Sequence, residues 1–152
     1  MTKIRVINGP NLNLLGVREP GIYGTQTLDE LEKRLKNEAS NYGIELDFFQ
    51  SNHEGAIIDS IHEAFKSGYK GLIINPGAFT HYSYAIRDAI SAVKIPCIEV
   101  HISNTNARED FRNHSIIAPV CIGQINGLGM DSYSAALFAL NRKIKADAIR
   151  YA

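Results

Sequence analysis

Arg18 and Tyr23 stand five positions apart in a stretch punctuated by glycines and prolines, Gly9-Pro-Asn-Leu-Asn-Leu-Leu-Gly-Val-Arg-Glu-Pro-Gly-Ile-Tyr-Gly-Thr-Gln26. A phenol near a guanidinium is one way to make a base, because a nearby positive charge favours phenolate and lowers a pKa that starts near ~10. Further along, Glu99-Val-His-Ile-Ser103 alternates as a strand does, so Glu99, His101 and Ser103 share a face. A carboxylate two residues from an imidazole can orient it, which is the base-and-orienter logic of a triad; the alternative is a satisfied core histidine. Arg108-Glu-Asp-Phe-Arg112 puts two arginines at i and i+4, expected on one face of a short helix. They read either as a solvated charged face or as two forks for a carboxylate or hydroxyl-rich substrate. Asn75-Pro-Gly-Ala-Phe-Thr-His81 joins an apolar run to a helix start. It is either an ordinary glycine-containing turn or a place where helical N–H groups and His81 face a ligand.

These groups need elements to position them, and the pattern supplies an alternation of strands and helices. β-rich runs fall near 4–8, 45–51, 71–75, 96–102 and 118–123, and helical periodicity near 27–41, 55–67, 82–93 and 131–146. That is a five-strand parallel α/β pattern within one domain, residues 1–152. Leu28, Leu31, Leu35, Ala39 and Tyr42 form one apolar stripe, and Ile86, Ala89, Ile90 and Val93 another. Thr27 with Glu30 predicts a capping box, and Gly43 and Gly68 stand where helices should end. Each strand run ends in polar residues: Asn8 and Asn11, then Ser51-Asn52-His53, Asn75, His101 with Ser103, and Gln124 with Asn126. In an open parallel sheet, ligands bind outside the carboxyl ends of the strands.

The segment from Gly9 to Gln26 is long for a strand-to-helix connection, which usually takes roughly two to six residues. Leu12, Leu14, Leu15, Val17, Ile22 and Tyr23 make it too apolar for a solvated linker. It reads as a closing lid.

Composition removes other function classes. Sixteen basic and sixteen acidic side chains cancel, leaving no field to attract nucleic acid or an anionic membrane. No apolar run approaches the roughly 18 residues of a membrane span, and the N-terminus has no apolar region of signal-peptide length. Cys97 and Cys121 fall in apolar runs and read as buried free thiols in a reducing cytoplasm. His53, His62, His81, His101 and His114 show no metal-ligand spacing, and neither GxGxxG nor GxxxxGK[ST] occurs. A flavin carrier is the rival on architecture, but its phosphate cradle needs a hydroxyl- and glycine-rich first loop that Asn11-Leu-Asn-Leu-Leu15 does not provide. A phosphoacceptor module would want acids at the ends of the first and third strands, where asparagines stand.

Taken in order, seven segments resemble the type II 3-dehydroquinate dehydratase family over essentially the whole chain. They are Asn8-Gly-Pro-Asn-Leu-Asn-Leu-Leu-Gly16, Arg18-Glu-Pro with Tyr23-Gly24, Gln50-Ser-Asn-His-Glu-Gly55, Asn75-Pro-Gly-Ala-Phe-Thr-His81, Glu99-Val-His-Ile-Ser103, Arg108-Glu-Asp-Phe-Arg112, and Gly123-Gln-Ile-Asn-Gly-Leu-Gly129 with Ser132-Tyr133. The resemblance implies a flavodoxin-like, doubly wound five-stranded parallel sheet with helices on both faces. It implies dehydration of 3-dehydroquinate to 3-dehydroshikimate by anti elimination through an enolate, in aromatic amino acid biosynthesis or quinate breakdown. By analogy, Tyr23 as phenolate removes the C2 proton, Arg18 lowers its pKa and holds the lid, and Arg108 assists. A water on Asn11 would stabilise the enolate, and His101, oriented by Glu99, would protonate the departing hydroxyl. Ile102 and Ser103 would bind the substrate carboxylate, and Asn75, His81 and Arg112 the ring hydroxyls. The resemblance implies neither metal nor organic cofactor. It also implies trimers assembled into a homododecamer, with Asp88 of a neighbour completing each site; Asp88 lies off its helix's apolar stripe, as an outward residue would.

Overall fold

The computed structural model describes residues 1–151. Five strands, β1 (Thr2–Asn8), β2 (Ile44–Gln50), β3 (Gly71–Asn75), β4 (Cys97–His101) and β5 (Gly123–Asn126), form one sheet in the order β2-β1-β3-β4-β5. Every neighbouring pair is parallel. The helices are α1 (Pro20–Tyr23), α2 (Leu28–Ser40), α3 (Glu54–Lys66), α4 (Tyr84–Val93) and α5 (Asp131–Tyr151). This strand order is the flavodoxin-like arrangement expected from the sequence.

Two separate apolar cores explain why the sheet is covered on both sides. Leu31, Leu35 and Ala39 of α2 and Tyr133, Leu137 and Leu140 of α5 pack with Ile4, Val6 and Ile73 on one face. Ile57, Ile61 and Ala64 of α3 and Ile86, Ala89, Ile90 and Val93 of α4 pack with Ile7, Leu72 and Ile74 on the other. β3 is central and buried at every residue, so both of its faces must be apolar and Gly-Leu-Ile-Ile reads as a continuous run. The chain leaves β1 one way to build β2 and the other way to build β3, β4 and β5. The crevice therefore opens at the carboxyl ends of β1 and β3, where the winding reverses.

Local signals hold where their chemistry is specific. Thr27 and Glu30 form the reciprocal capping box of α2, worth about 1 kcal/mol. Gly43 and Gly68 adopt φ of 70° and 75° after α2 and α3, a conformation with little penalty only for glycine.

Four expectations need correction. The fifth strand is β5 at Gly123–Asn126 and not 118–123; Ala118–Val120 instead form a 3-10 turn with Pro119 in it. The apolar run there is a loop, in which Val120 and Cys121 pack partly buried on the core that holds the preceding Ile116 and Ile117, while the edge strand itself is short and polar. Cys121 accordingly lies half-buried in that loop, whereas Cys97 opens β4 fully buried; both are free thiols. Arg108 and Arg112 do not share a helix, because Arg108 is extended between the 3-10 turns Thr105–Ala107 and Asp110–Asn113. Finally, α5 continues beyond 146 to Tyr151.

Candidate active site

A cavity of about 70 Å³ sits at the carboxyl ends of β1, β3 and β4. Asn11, Arg18 and Tyr23 line it from the long first loop, Asn75 and His81 from the β3 side, and His101, Ile102 and Ser103 from β4. Arg108 and Arg112 complete it despite lying on different turns. Among the described residues, three arginines and no acidic side chain line this small space. In a chain of zero net charge, that local excess fits a small anion. Of the residues given a role by the resemblance, Glu99 and Asp88 do not line it, and neither do the strand-end residues Asn8, Ser51, Asn52, His53, Gln124 and Asn126. Glu99 lies beneath His101, and Asp88 is exposed on α4.

The loop from β1 enters the site through contacts that need glycine. A Cβ on Gly9 would come within 2.5 Å of the Pro76 carbonyl oxygen, and the Gly9 N–H donates to the Asn75 carbonyl at 2.7 Å. A Cβ on Gly77, at φ +59°, would come within 3.1 Å of the Pro10 carbonyl oxygen. The β1 and β3 loops are thus held together backbone to backbone. Leu12 and Leu15 are buried in the core and anchor the loop, while Val17 and Ile22 remain exposed. Asn11 takes a left-handed φ of 70°, which asparagine tolerates, and its N–H donates to Asn52 Oδ1 at 3.0 Å.

Tyr23 closes the short helix α1, whose first residue is Pro20. Its hydroxyl accepts from Arg108 Nη1 at 2.6 Å, and the same nitrogen lies 3.3 Å from Ser103 Oγ. Arg108 Nη2 approaches Glu19 Oε2 at 3.6 Å. Arg18 instead lies over the Tyr23 ring, 4.9 Å from its centroid. The guanidinium on the phenol oxygen is therefore that of Arg108, while Arg18 covers the ring.

Glu99 is completely buried, and its carboxylate is filled with donors. Thr80 Oγ1 and Gln124 Nε2 donate to Oε2 at 2.6 and 2.9 Å, and Ser115 Oγ to Oε1 at 2.8 Å. His101 Nε2 stands 2.5 Å from Oε2. Burial pushes the carboxyl up, but the hydrogen bond and charge of His101, with Thr80 and Ser115, outweigh it and hold Glu99 below the ordinary carboxylate range. With Nε2 on Glu99, Nδ1 of His101 is the nitrogen left to exchange a proton with a ligand.

The remaining polar residues are oriented by neighbours. His81 Nδ1 pairs with the His114 carbonyl at 2.8 Å, which makes Nδ1 the donor and leaves Nε2 to meet a ligand. Phe111 packs edge-on against the His81 ring. Arg112 stacks on Phe111 and bonds Glu109 Oε2 at 3.0 Å. Asn75 Nδ2 donates to the Tyr133 hydroxyl at 2.9 Å, and its Oδ1 accepts from the Gly77 N–H at 3.2 Å. Thr80, Ser115 and Tyr133 escaped the sequence reading of the site. Thr80 and Tyr133 lie inside quoted motifs without a role, and nothing about Ser115 in sequence marks it as a partner of Glu99.

Among the described residues, no group of three or more His, Cys, Asp or Glu side chains is arranged to hold a metal ion, and no helix is long and apolar enough to cross a membrane. Fold and site together define an α/β protein with a cationic crevice containing a phenol and a carboxylate-bound imidazole. The dehydroquinase class II family model matches residues 2–141. The 3-dehydroquinate dehydratase of Bacillus cereus strain B4264 is 61% identical over 145 residues, covering 95% of this chain and 99% of the relative. That of Caldicellulosiruptor bescii is 60% identical over 140 residues, 92% and 97% of the two chains. The crystal structure of type II dehydroquinase from Butyrivibrio crossotus is similar with a TM-score of 0.91 at 55% identity, covering 92% of this chain and 97% of that one. The chain belongs to the class II dehydroquinase family.

Proposed function

We propose that this chain dehydrates 3-dehydroquinate to 3-dehydroshikimate by anti elimination through an enolate, in the shikimate pathway or in quinate breakdown. The observation that carries the mechanism is the pairing of Tyr23 with Arg108 at 2.6 Å in a cavity that also holds His101 on Glu99. An elimination next to a ketone needs a base for the α proton, donors where the enolate forms, and an acid for the departing hydroxyl.

Tyr23, as phenolate, takes the C2 proton, and the Arg108 and Arg18 guanidiniums compensate the negative charge that it carries. The electron pair left at C2 forms the enolate, whose oxygen is met by a water on Asn11. His101 gives its proton to the C1 hydroxyl, which leaves as water while the pair returns from the enolate to form the C1–C2 double bond. Glu99, anionic among its donors, balances the imidazolium before transfer. The Ile102 backbone and Ser103 hydroxyl hold the substrate carboxylate, beside the Arg108 fork that also touches the base. Asn75, His81 through Nε2, and Arg112 hold ring hydroxyls. No step needs a metal, a lysine imine or an organic cofactor.

Asp88 completes a neighbouring subunit's site in a trimer, four of which form a dodecamer in the cytoplasm. Its exposure on α4, away from the cavity of its own chain, supports this reading. The test of the activity is incubation of the purified protein with 3-dehydroquinate, following ultraviolet absorbance of the conjugated enone. Absorbance should rise at the same rate with and without a strong chelator. No rise, or a rise abolished by chelation, contradicts the proposal.

A further inference from the structure

Tyr133, in the first turn of α5, is the largest fully buried side chain among the described residues, and no step of the elimination uses it. Its hydroxyl lies between two asparagines that are register partners at the carboxyl ends of β1 and β3, Asn8 and Asn75. It donates to Asn8 Oδ1 at 2.6 Å and accepts from Asn75 Nδ2 at 2.9 Å. Burial holds this phenol protonated, well above the ordinary range, against a smaller opposing effect of the Asn75 bond.

The direction of this relay is fixed by its ends. A phenol has one hydrogen, and it goes to Asn8. At the other end the Gly77 N–H donates to Asn75 Oδ1 at 3.2 Å. Reversing the relay would turn the Asn75 oxygen toward Tyr133 and set its NH₂ against the Gly77 N–H, donor facing donor. Asn8 Nδ2, meanwhile, is buried without a hydrogen-bond partner among the described residues. A buried unpaired donor is destabilising, so the arrangement is not the best one for core stability alone. What it does is leave Asn75, which lines the cavity, with one amide hydrogen uncommitted and its orientation set.

We propose that Tyr133 is a positioning residue for substrate binding, fixing the Asn75 amide so that it presents an N–H to a ring hydroxyl of the bound ligand. The proposal rests on the function above, and it extends the site to β1 and α5, neither of which reaches the cavity through this network except by way of Asn75.

The test is a double-mutant cycle of Tyr133→Phe with Asn75→Ala, reading the Kd of quinate. Quinate keeps the carboxylate and ring hydroxyls but has no ketone and so cannot react. Tyr133→Phe alone should weaken quinate roughly tenfold, the scale of one hydrogen bond. In the Asn75→Ala background the same change should weaken it no further, although it lowers Tm in both backgrounds. A merely structural tyrosine would weaken binding equally in both, and that result, or no weakening in the wild-type background, overturns the proposal. Asn8→Leu reads the relay from its other end without altering the phenol and should show the same dependence on Asn75; independence overturns it. A wild-type protein that forms the enone but whose quinate binding does not depend on Asn75 overturns the relay alone, whereas a protein that forms no enone overturns the proposed function.

Discussion

Arg108 Nη1 bonds the hydroxyl of Tyr23 across 2.6 Å although the two residues are 85 positions apart. Arg18, the nearer in sequence, meets only the face of the ring. A hydrogen-bonded guanidinium acts on the oxygen that receives the proton, whereas a ring-face cation contributes about 0.5–2 kcal/mol. Arg108→Ala should therefore lower kcat by roughly two to three decades at neutral pH, because the charge-assisted bond favours the phenolate form that acts as the base. Arg18→Ala should cost roughly one decade. Steady-state kinetics of both variants decide the order, and a larger loss in Arg18→Ala contradicts it.

His101 and Tyr23 have separable roles in the elimination. His101→Ala should slow dehydration strongly while leaving exchange of the substrate's C2 hydrogen with solvent, because the base remains. Exchange can be followed by NMR in deuterated water. Loss of exchange together with dehydration would make His101 the base.

Glu99 makes stability depend on pH in a defined direction. Its folded pKa lies below the ordinary carboxylate value of about 4.5. The stability it contributes is thus complete above that value and disappears as pH falls through the folded pKa. Glu99→Gln should have a lower Tm than the wild type at neutral pH, and the gap should narrow as the pH falls through and below the ordinary carboxylate range. A gap that stays constant or widens on acidification would show that ionised Glu99 contributes nothing to stability.

The sequence revealed these elements to different degrees, and the reasons are local. β3 is legible because a strand buried on both faces must read as a continuous apolar run, whereas the strand order came only with the family resemblance. β5 is not, because an edge strand needs no apolar run and the loop residues Val120 and Cys121, which pack on the core, supplied a misleading one just before it. Within the site, His101 and Glu99 were legible because period-two alternation along a strand fixes which side chains meet. Arg108 and Arg112 reach one cavity through irregular turns, which no periodicity encodes. The donors around Glu99 come from three separate segments, at Thr80, Ser115 and Gln124, and their convergence is a property of the tertiary fold alone.

The shared site can be tested by complementation. If Asp88 serves a neighbouring subunit, Asp88→Asn and Tyr23→Phe damage any one site from different chains. Each variant alone should be poorly active. Refolded together, with mixed oligomers verified by size exclusion and mass spectrometry, they should regain activity, because some sites draw Tyr23 from one variant and Asp88 from the other. Mixed oligomers without regained activity would place both residues in the same subunit's site.

The base itself carries the account. Tyr23→Phe keeps the ring, its packing and its place under Arg18, and removes the one oxygen that Arg108 holds at 2.6 Å. The direct measurement is single-turnover formation of the enone from 3-dehydroquinate by this variant, with substrate binding verified separately. Binding should persist and the chemical step should slow by roughly three or more decades. A Tyr23→Phe enzyme that forms the enone at the wild-type rate would show that the proton leaves to some other group.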